Sequence, residues 1–144
     1  MKIGIASDHR GFKLKELIKE NLDYDFIDYG TNSEESTDYP IYAFKLGEAV
    51  VNKDVEYGVA ICGSGIGISI ACNKVKGIRC AKVSNEEEAK YTRNDNNSNI
   101  VAFGEKTPLE EALNIVKTFV ETPSSTEEKH QRRVQEIIDY EENN

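Results

Sequence analysis

The sequence predicts an α/β protein: a single-domain, Rossmann-like, doubly wound sheet of five parallel strands, with one extra helix at the carboxyl end. Two observations carry that expectation. Short apolar runs alternate with longer stretches whose apolar residues recur at helical spacing, the order that parallel strands and crossover helices require. One run, Tyr57 to Cys62, is apolar throughout, as a strand buried on both faces would be. It passes through Cys62-Gly63-Ser64-Gly65-Ile66-Gly67 into a helix-like segment, so strand, tight turn and helix follow one another directly.

Taken in order, Lys2 to Ala6 reads as the first strand, ending in Ser7-Asp8-His9-Arg10-Gly11. Polar side chains there are placed either for a site on the sheet's carboxyl edge or simply to cap a helix. Leu14, Leu17, Ile18 and Leu22 mark the inner face of the next helix, with lysines and glutamates between them. Tyr24 to Asp28 is a second strand. Thr37-Asp38-Tyr39-Pro40 opens a helix with Ala43, Leu46, Gly47 and Val50 inward; proline suits the first turn. Tyr42 in that turn can reach a ligand or pack as an ordinary core tyrosine.

After the third strand and its glycine turn comes a helix through Ala71 and Asn73, then a fourth strand over Gly77 to Ala81. Ser84-Asn85-Glu86-Glu87 reads as a capping box for a helix ending near Arg93, and Asn94 to Asn99 as a polar loop. Ile100 to Phe103 is the fifth strand. Thr107-Pro108 caps a helix lined by Leu109, Ala112, Leu113, Val116 and Val120. Residues 121–144 hold a hinge, Pro123-Ser124-Ser125, a second capping box over Ser125 to Glu128, and a last helix with Val134, Ile137 and Ile138. That helix has no strand to cover, so it is expected to pack on a neighbouring subunit. Lys129 and Arg133, four apart, share one of its faces, either gripping a phosphate or facing solvent.

Residues 1–144 are expected to form one domain with a sizeable core, without internal repeats. The net charge of -8 offers no basic stripe for nucleic acid. No apolar run reaches membrane-spanning length, and Met1-Lys2 leads into a strand rather than a signal peptide. Three cysteines, odd in number and near core segments, suit a reducing cytoplasm. Two histidines without a Cys-x-x-Cys pattern argue against a transition-metal site.

The glycine turn can be tested against familiar phosphate loops. A dinucleotide fingerprint wants a third glycine where Ile68 stands, a P-loop wants Gly-Lys-Ser/Thr, and a cysteine phosphatase loop wants an arginine, again at Ile68. None fits. What remains is either a cysteine above an amide-rich oxyanion site, able to act as base or nucleophile, or a small buried thiol in a glycine turn.

The chain as a whole resembles the type B ribose-5-phosphate isomerases and the related galactose-6-phosphate isomerase subunits. The likeness runs nearly end to end: Ser7-Asp8-His9, Gly30-Thr31, Thr37-Asp38-Tyr39-Pro40, Cys62 to Ala71, Asn73-Lys74, Gly77-Ile78-Arg79, Asn99 to Gly104, and His130-Gln131-Arg132-Arg133-Val134. It implies cofactor-independent interconversion of aldose and ketose sugar phosphates through an enediolate, a step of the non-oxidative pentose phosphate branch. On that resemblance Cys62 is the base that carries a proton between C1 and C2. Gly63, Ser64, Gly65, Ile66 and Gly67 supply amides, and Ser64 a hydroxyl, for the developing negative charge. Asp8 and Tyr42 contact the sugar, Asp8 helping to open the ring, and His9 contacts the phosphate. Asn96 is a substrate-binding residue supplied by a facing subunit, with Asp95 and Lys106 also assigned to that side, so a homodimer or dimer of dimers is implied.

Three positions depart from the family pattern. Asp95 stands where ribose-phosphate members have a ring-opening histidine, and Lys106 and Lys129 stand for phosphate-binding arginines, while Arg133 is retained. Ile68 occupies the place of the base glutamate of another subgroup. A hexose 6-phosphate such as allose or galactose phosphate is therefore the second substrate reading. A sugar-phosphate-binding protein without turnover is the third.

Overall fold

A computed structural model describes all residues, Met1–Asn144. Five strands and six helices follow in the order β1 (Lys2–Ser7), α1 (Phe12–Asn21), β2 (Asp25–Asp28), α2 (Tyr39–Val51), β3 (Tyr57–Cys62), α3 (Ile66–Cys72), β4 (Cys80–Lys82), α4 (Glu86–Asn96), β5 (Ile100–Gly104), α5 (Leu109–Glu121) and α6 (Glu128–Glu142). The strands form one parallel sheet in the order β2-β1-β3-β5-β4. The chain moves outward from β1 to β2, then crosses to β3 on the other side. Adjacent β1 and β3 are thus the switch point, where their carboxyl ends diverge and leave a crevice.

Period-two alternation divides the core into unlike halves. Ile3, Ile5, Val59, Ile61, Val101 and Phe103 face α1 and α5, meeting Leu14, Ile18, Ile115 and Phe119. The opposite face offers small residues, Ala6, Ala60 and Ala102, to α2 and α3. Gly58 belongs to that face: a Cβ there would lie 3.1 Å from Leu46 Cδ1. Small strand residues let α2 settle close to the sheet.

Several boundaries differ from expectation. β2 starts at Asp25, and β4 is displaced to Cys80–Lys82, because Gly77 turns at φ 95° and the Asn99 carboxamide takes the Arg79 N–H. Helix α4 is capped by Asn85, whose side chain accepts the Glu88 N–H, while Glu88 accepts the Ser84 N–H. It then runs through Asn96, so the expected polar loop is half helix. The buried Arg93 guanidinium explains the extension: it donates to Asn97 Oδ1, the Ser98 and Thr122 carbonyls and Tyr57 Oη, closing the helix end. No Ser125–Glu128 box forms. Ser125 Oγ instead accepts the Glu127 N–H ahead of α6.

In α1, Leu17 is exposed, whereas Lys15 is fully buried. Its ammonium meets the Asp28 and Glu16 carboxylates and stands 5.1 Å from the Phe12 ring centre, so the charge is paired. Burial alone would raise Asp28, but hydrogen bonds from Lys15, Lys19 and the Gly30 N–H hold it below the usual carboxylate range. α6 lies along α4, burying Val134 and leaving Ile137 and Tyr140 exposed. No helix is long and apolar enough to cross a membrane.

Candidate active site

An open cleft of about 1060 Å³ lies at the carboxyl edge, over the turns that follow β1, β3 and β5. Ser7 pairs with Ile61 across the sheet, which places Asp8 beside Cys62. Both are nearly buried, at 5% and 4% exposure, and form the cleft floor.

Backbone geometry builds the turn after β3. Gly65 stands at φ 79°, and a Cβ on it would fall 2.6 Å from the Phe103 carbonyl carbon. Only glycine fits there. The Gly65 N–H points at Cys62 Sγ, 3.2 Å away, and the Ile66 N–H donates to Ser64 Oγ at 3.1 Å. Among the amides from Gly63 to Gly67, these two are engaged within the turn itself. The Ser64 and Gly67 N–H groups keep no protein acceptor and remain available at the cleft. From β5, the Glu105 N–H donates to the Cys62 and Gly63 carbonyls and ties the turn down.

Asp8 acts as both a turn former and a cleft residue. Its Oδ1 accepts the Arg10 and Gly11 N–H groups, while Oδ2 has no protein partner. His9 lines the cleft with Nδ1 accepting the Thr37 N–H at 3.2 Å, so the ring proton sits on Nε2 as an available donor. Cys72 and Cys80 lie in or against the core instead; hydrogen bonding to Cys72 and burial push the Cys80 thiol well above its ordinary range. Cys62 is thus the thiol that meets the cleft.

Not every expected residue is there. Tyr42 borders a smaller neighbouring pocket of about 400 Å³ beside Gly30, while Tyr39 takes a place in the main cleft. Hydrogen bonds with Thr31 and Thr37, and the nearby Lys45, lower the Tyr42 hydroxyl from its usual range. Lys106, assigned to a facing subunit, lines the cleft of its own chain because it follows β5 directly. Asp95 faces a crease between α4 and α6, 3.7 Å from His130 Nε2. Asn96 borders another, with Arg79, Cys80 and Ile137. Lys129 and Arg133 are exposed on α6, Lys129 with Glu127 3.9 Å away.

Cleft residues that the sequence did not single out include Arg10, Thr37, Tyr39 and Lys82. Tyr39 and Thr37 belong to the Thr37-Asp38-Tyr39-Pro40 motif, but nothing local marks Thr37 as the partner that orients His9. No group of three or more His, Cys, Asp or Glu side chains is placed to hold a metal ion.

Comparison with known proteins reaches the whole of this architecture. The ribose/galactose isomerase family profile matches residues 3–137. Ribose-5-phosphate isomerase B of Escherichia coli is 41% identical over 140 residues, covering 94% of this chain and 93% of that protein. The chain belongs to the ribose/galactose isomerase family. The structure of ribose-5-phosphate isomerase B from Clostridium thermocellum superposes with a TM-score of 0.95 at 44% identity, covering 99% of each chain. That of the Mycoplasma genitalium enzyme with bound ribulose-5-phosphate superposes at 0.92 and 36% identity, over 99% of this chain and 97% of that one.

Proposed function

We propose that this protein isomerises ribose 5-phosphate and ribulose 5-phosphate without a cofactor, with Cys62 as the base. The observation that carries the reading is the position of Cys62 Sγ on the cleft floor, beside Asp8 and under unspent amides, in a chain of this family. Asp8 Oδ2 accepts and returns a hydroxyl proton as the sugar ring opens. Cys62 thiolate removes the C2 proton of the open aldose, and the electrons move through C1 to its carbonyl oxygen. The resulting enediolate keeps its negative charge against the Ser64 and Gly67 N–H groups and the Ser64 hydroxyl. Returning the sulfur-held proton to C1, with a proton shifted from O2 to O1, yields the ketose. A thiol suits this because the base must give the proton back, and its ordinary pKa lies close to working pH.

A second copy of the chain completes the site in this proposal. Within one chain, Asp95, Asn96, Lys129 and Arg133 border no part of the cleft. The outer faces of α2 and α3 expose Ile41, Phe44, Ile66 and Ile70, and Ile66 is itself a cleft residue. An apolar face running up to the cleft mouth is the surface on which a symmetric partner would bring Asn96 and Arg133 into reach. Ile137 and Tyr140 leave α6 a further apolar face for a neighbour, in a homodimer or dimer of dimers. Three free thiols suit a reducing cytoplasm.

Turnover of the purified protein on ribose 5-phosphate, with allose 6-phosphate and galactose 6-phosphate alongside, tests the assignment. Ribose-phosphate turnover well above both hexose phosphates is expected. A hexose preference would transfer the assignment to the longer sugar and make Asp95, Lys106 and Lys129 its specificity markers. Silence on all three would leave binding without turnover, or a missing partner chain.

A further inference from the structure

Arg10 follows His9 directly, and its side chain reaches over the turn after β3. Its Nε meets both Glu105 carboxylate oxygens at 3.2 Å, and Nη2 donates to Oε1 at 2.8 Å. A Cβ on Gly63 would lie 3.5 Å from the guanidinium carbon, so the cation sits against that turn. Nη1 is left without a protein acceptor, and the side chain is 55% exposed at the cleft rim. We propose that Arg10 binds the phosphate end of the substrate at the cleft rim, and that Glu105 is the positioning residue that aims its guanidinium. This rests on the sugar-phosphate reading above.

Depth decides which end of the substrate meets Arg10. Cys62 and Asp8 are on the buried floor and take the reacting carbons, while a phosphate dianion keeps part of its hydration at the rim. Charge agrees. Arg10, Lys82 and Lys106 line the cleft with Asp8 and Asp38, so that even with Glu105 behind Arg10 the signs balance there, in a chain of net charge -8. Hydrogen bonding to Arg10 holds the Glu105 carboxyl below its usual range, with Lys106 and His9 adding to the effect. One carboxylate thus stands among three basic groups, the surroundings in which a bound dianion finds donors.

The test measures inorganic phosphate, by calorimetric titration and as a competitive inhibitor. Arg10→Gln is expected to weaken phosphate binding about tenfold and raise KM alike, since a charged hydrogen bond is lost. Its kcat should stay within about threefold, because contacts remote from the reacting carbons act on both ground and transition states. Arg10→Lys should fall between, and matched thermal midpoints show that the exposed substitution leaves the fold intact. Glu105→Ala should weaken phosphate binding alone but add nothing in an Arg10→Gln background. Phosphate binding within about twofold of wild type in Arg10→Gln overturns the proposal, as does absent phosphate binding by the wild type. A full Glu105→Ala effect on top of Arg10→Gln would mean that Glu105 acts through the turn, not through Arg10. If the wild type binds phosphate yet does not turn over ribose 5-phosphate, the proposed reaction fails while the titration still decides the role of Arg10.

Discussion

The turn after β3 and the carboxyl end of α4 are both runs of small polar residues, and they are built by opposite means. In the β3 turn the backbone does the work: Gly65 at φ 79° lies against Phe103 and Gly104, amides close onto Sγ and Oγ, and the Glu105 N–H clamps two carbonyls. At the α4 end, arginine side chains do it. Arg93 gathers Asn97, Ser98 and Thr122, and Arg79 donates to the Asn96 and Asn97 carbonyls. The first region aims its functional groups into its own cleft. The second turns Asp95 and Asn96 away from it, into creases against α6 and β4. A backbone-built turn tolerates no added side chain at its tightest point, Gly65, but needs no partner; a side-chain-built end can present residues to another molecule.

The two regions should respond differently to substitution. Cys62→Ala should cost about 10³-fold in turnover while sugar phosphate still binds, as expected on losing a general base; near-normal turnover would show the base to be misassigned. Neither Cys62→Ala nor Asn96→Ala alone should be fully active, but mixed, refolded subunits should recover about a quarter of wild-type sites, since half of random dimers carry one intact site. Absence of recovery, or a fully active monomer at high dilution, would break the shared-site proposal.

Gly65→Ala should destabilise by about 3 kcal/mol in denaturant titrations, because positive φ and a 2.6 Å approach combine. Asn97→Gly, at φ 47°, should cost only about 1 kcal/mol, because glycine tolerates that conformation and the loss is one acceptor of the Arg93 guanidinium. Equal effects would erase the contrast between the two regions.

Far from both, Asp28→Asn should cost about 2 kcal/mol at neutral pH by removing a charged partner of buried Lys15. Asp28 is held below its unfolded value, so its contribution is full above roughly pH 4 and is lost as pH falls through the depressed value. The two stability curves should therefore converge in acid. The smallest effect is expected from Asp95→His, a rise of about threefold in ribose-phosphate turnover if ring opening limits the rate, within the reach of acid–base assistance. No change would place position 95 outside the limiting step.

Much of the fold was legible because its signals are local. Ile3, Ile5, Val59 and Ile61 are apolar where a sheet buried on both faces demands it, and Pro40 and the glycines punctuate as their backbones require. Helix ends were less legible. Asn85 and Ser84 are equally good caps by type, and the length of α4 depends on Arg93 finding Tyr57 and Thr122, both distant in sequence. Lys15 gave no sign of burial, because its ion pair with Asp28 forms only when α1 packs beside β2.

What the sequence by itself determined is the alternation of strands and helices and the glycine turn that carries Cys62, since periodicity and backbone freedom are properties of neighbouring residues. Tertiary structure alone decided that Asp8 and Cys62 share a floor, that Thr37 orients His9, and that Glu105 meets Arg10 across 95 residues of chain. It also decided that Asp95, Asn96 and Arg133 stand off the cleft of their own chain. The physical reason is sheet order. Strand neighbours β1, β3 and β5 bring three distant turns to one edge, whereas α4 and α6 pack on each other and keep their polar ends away from it.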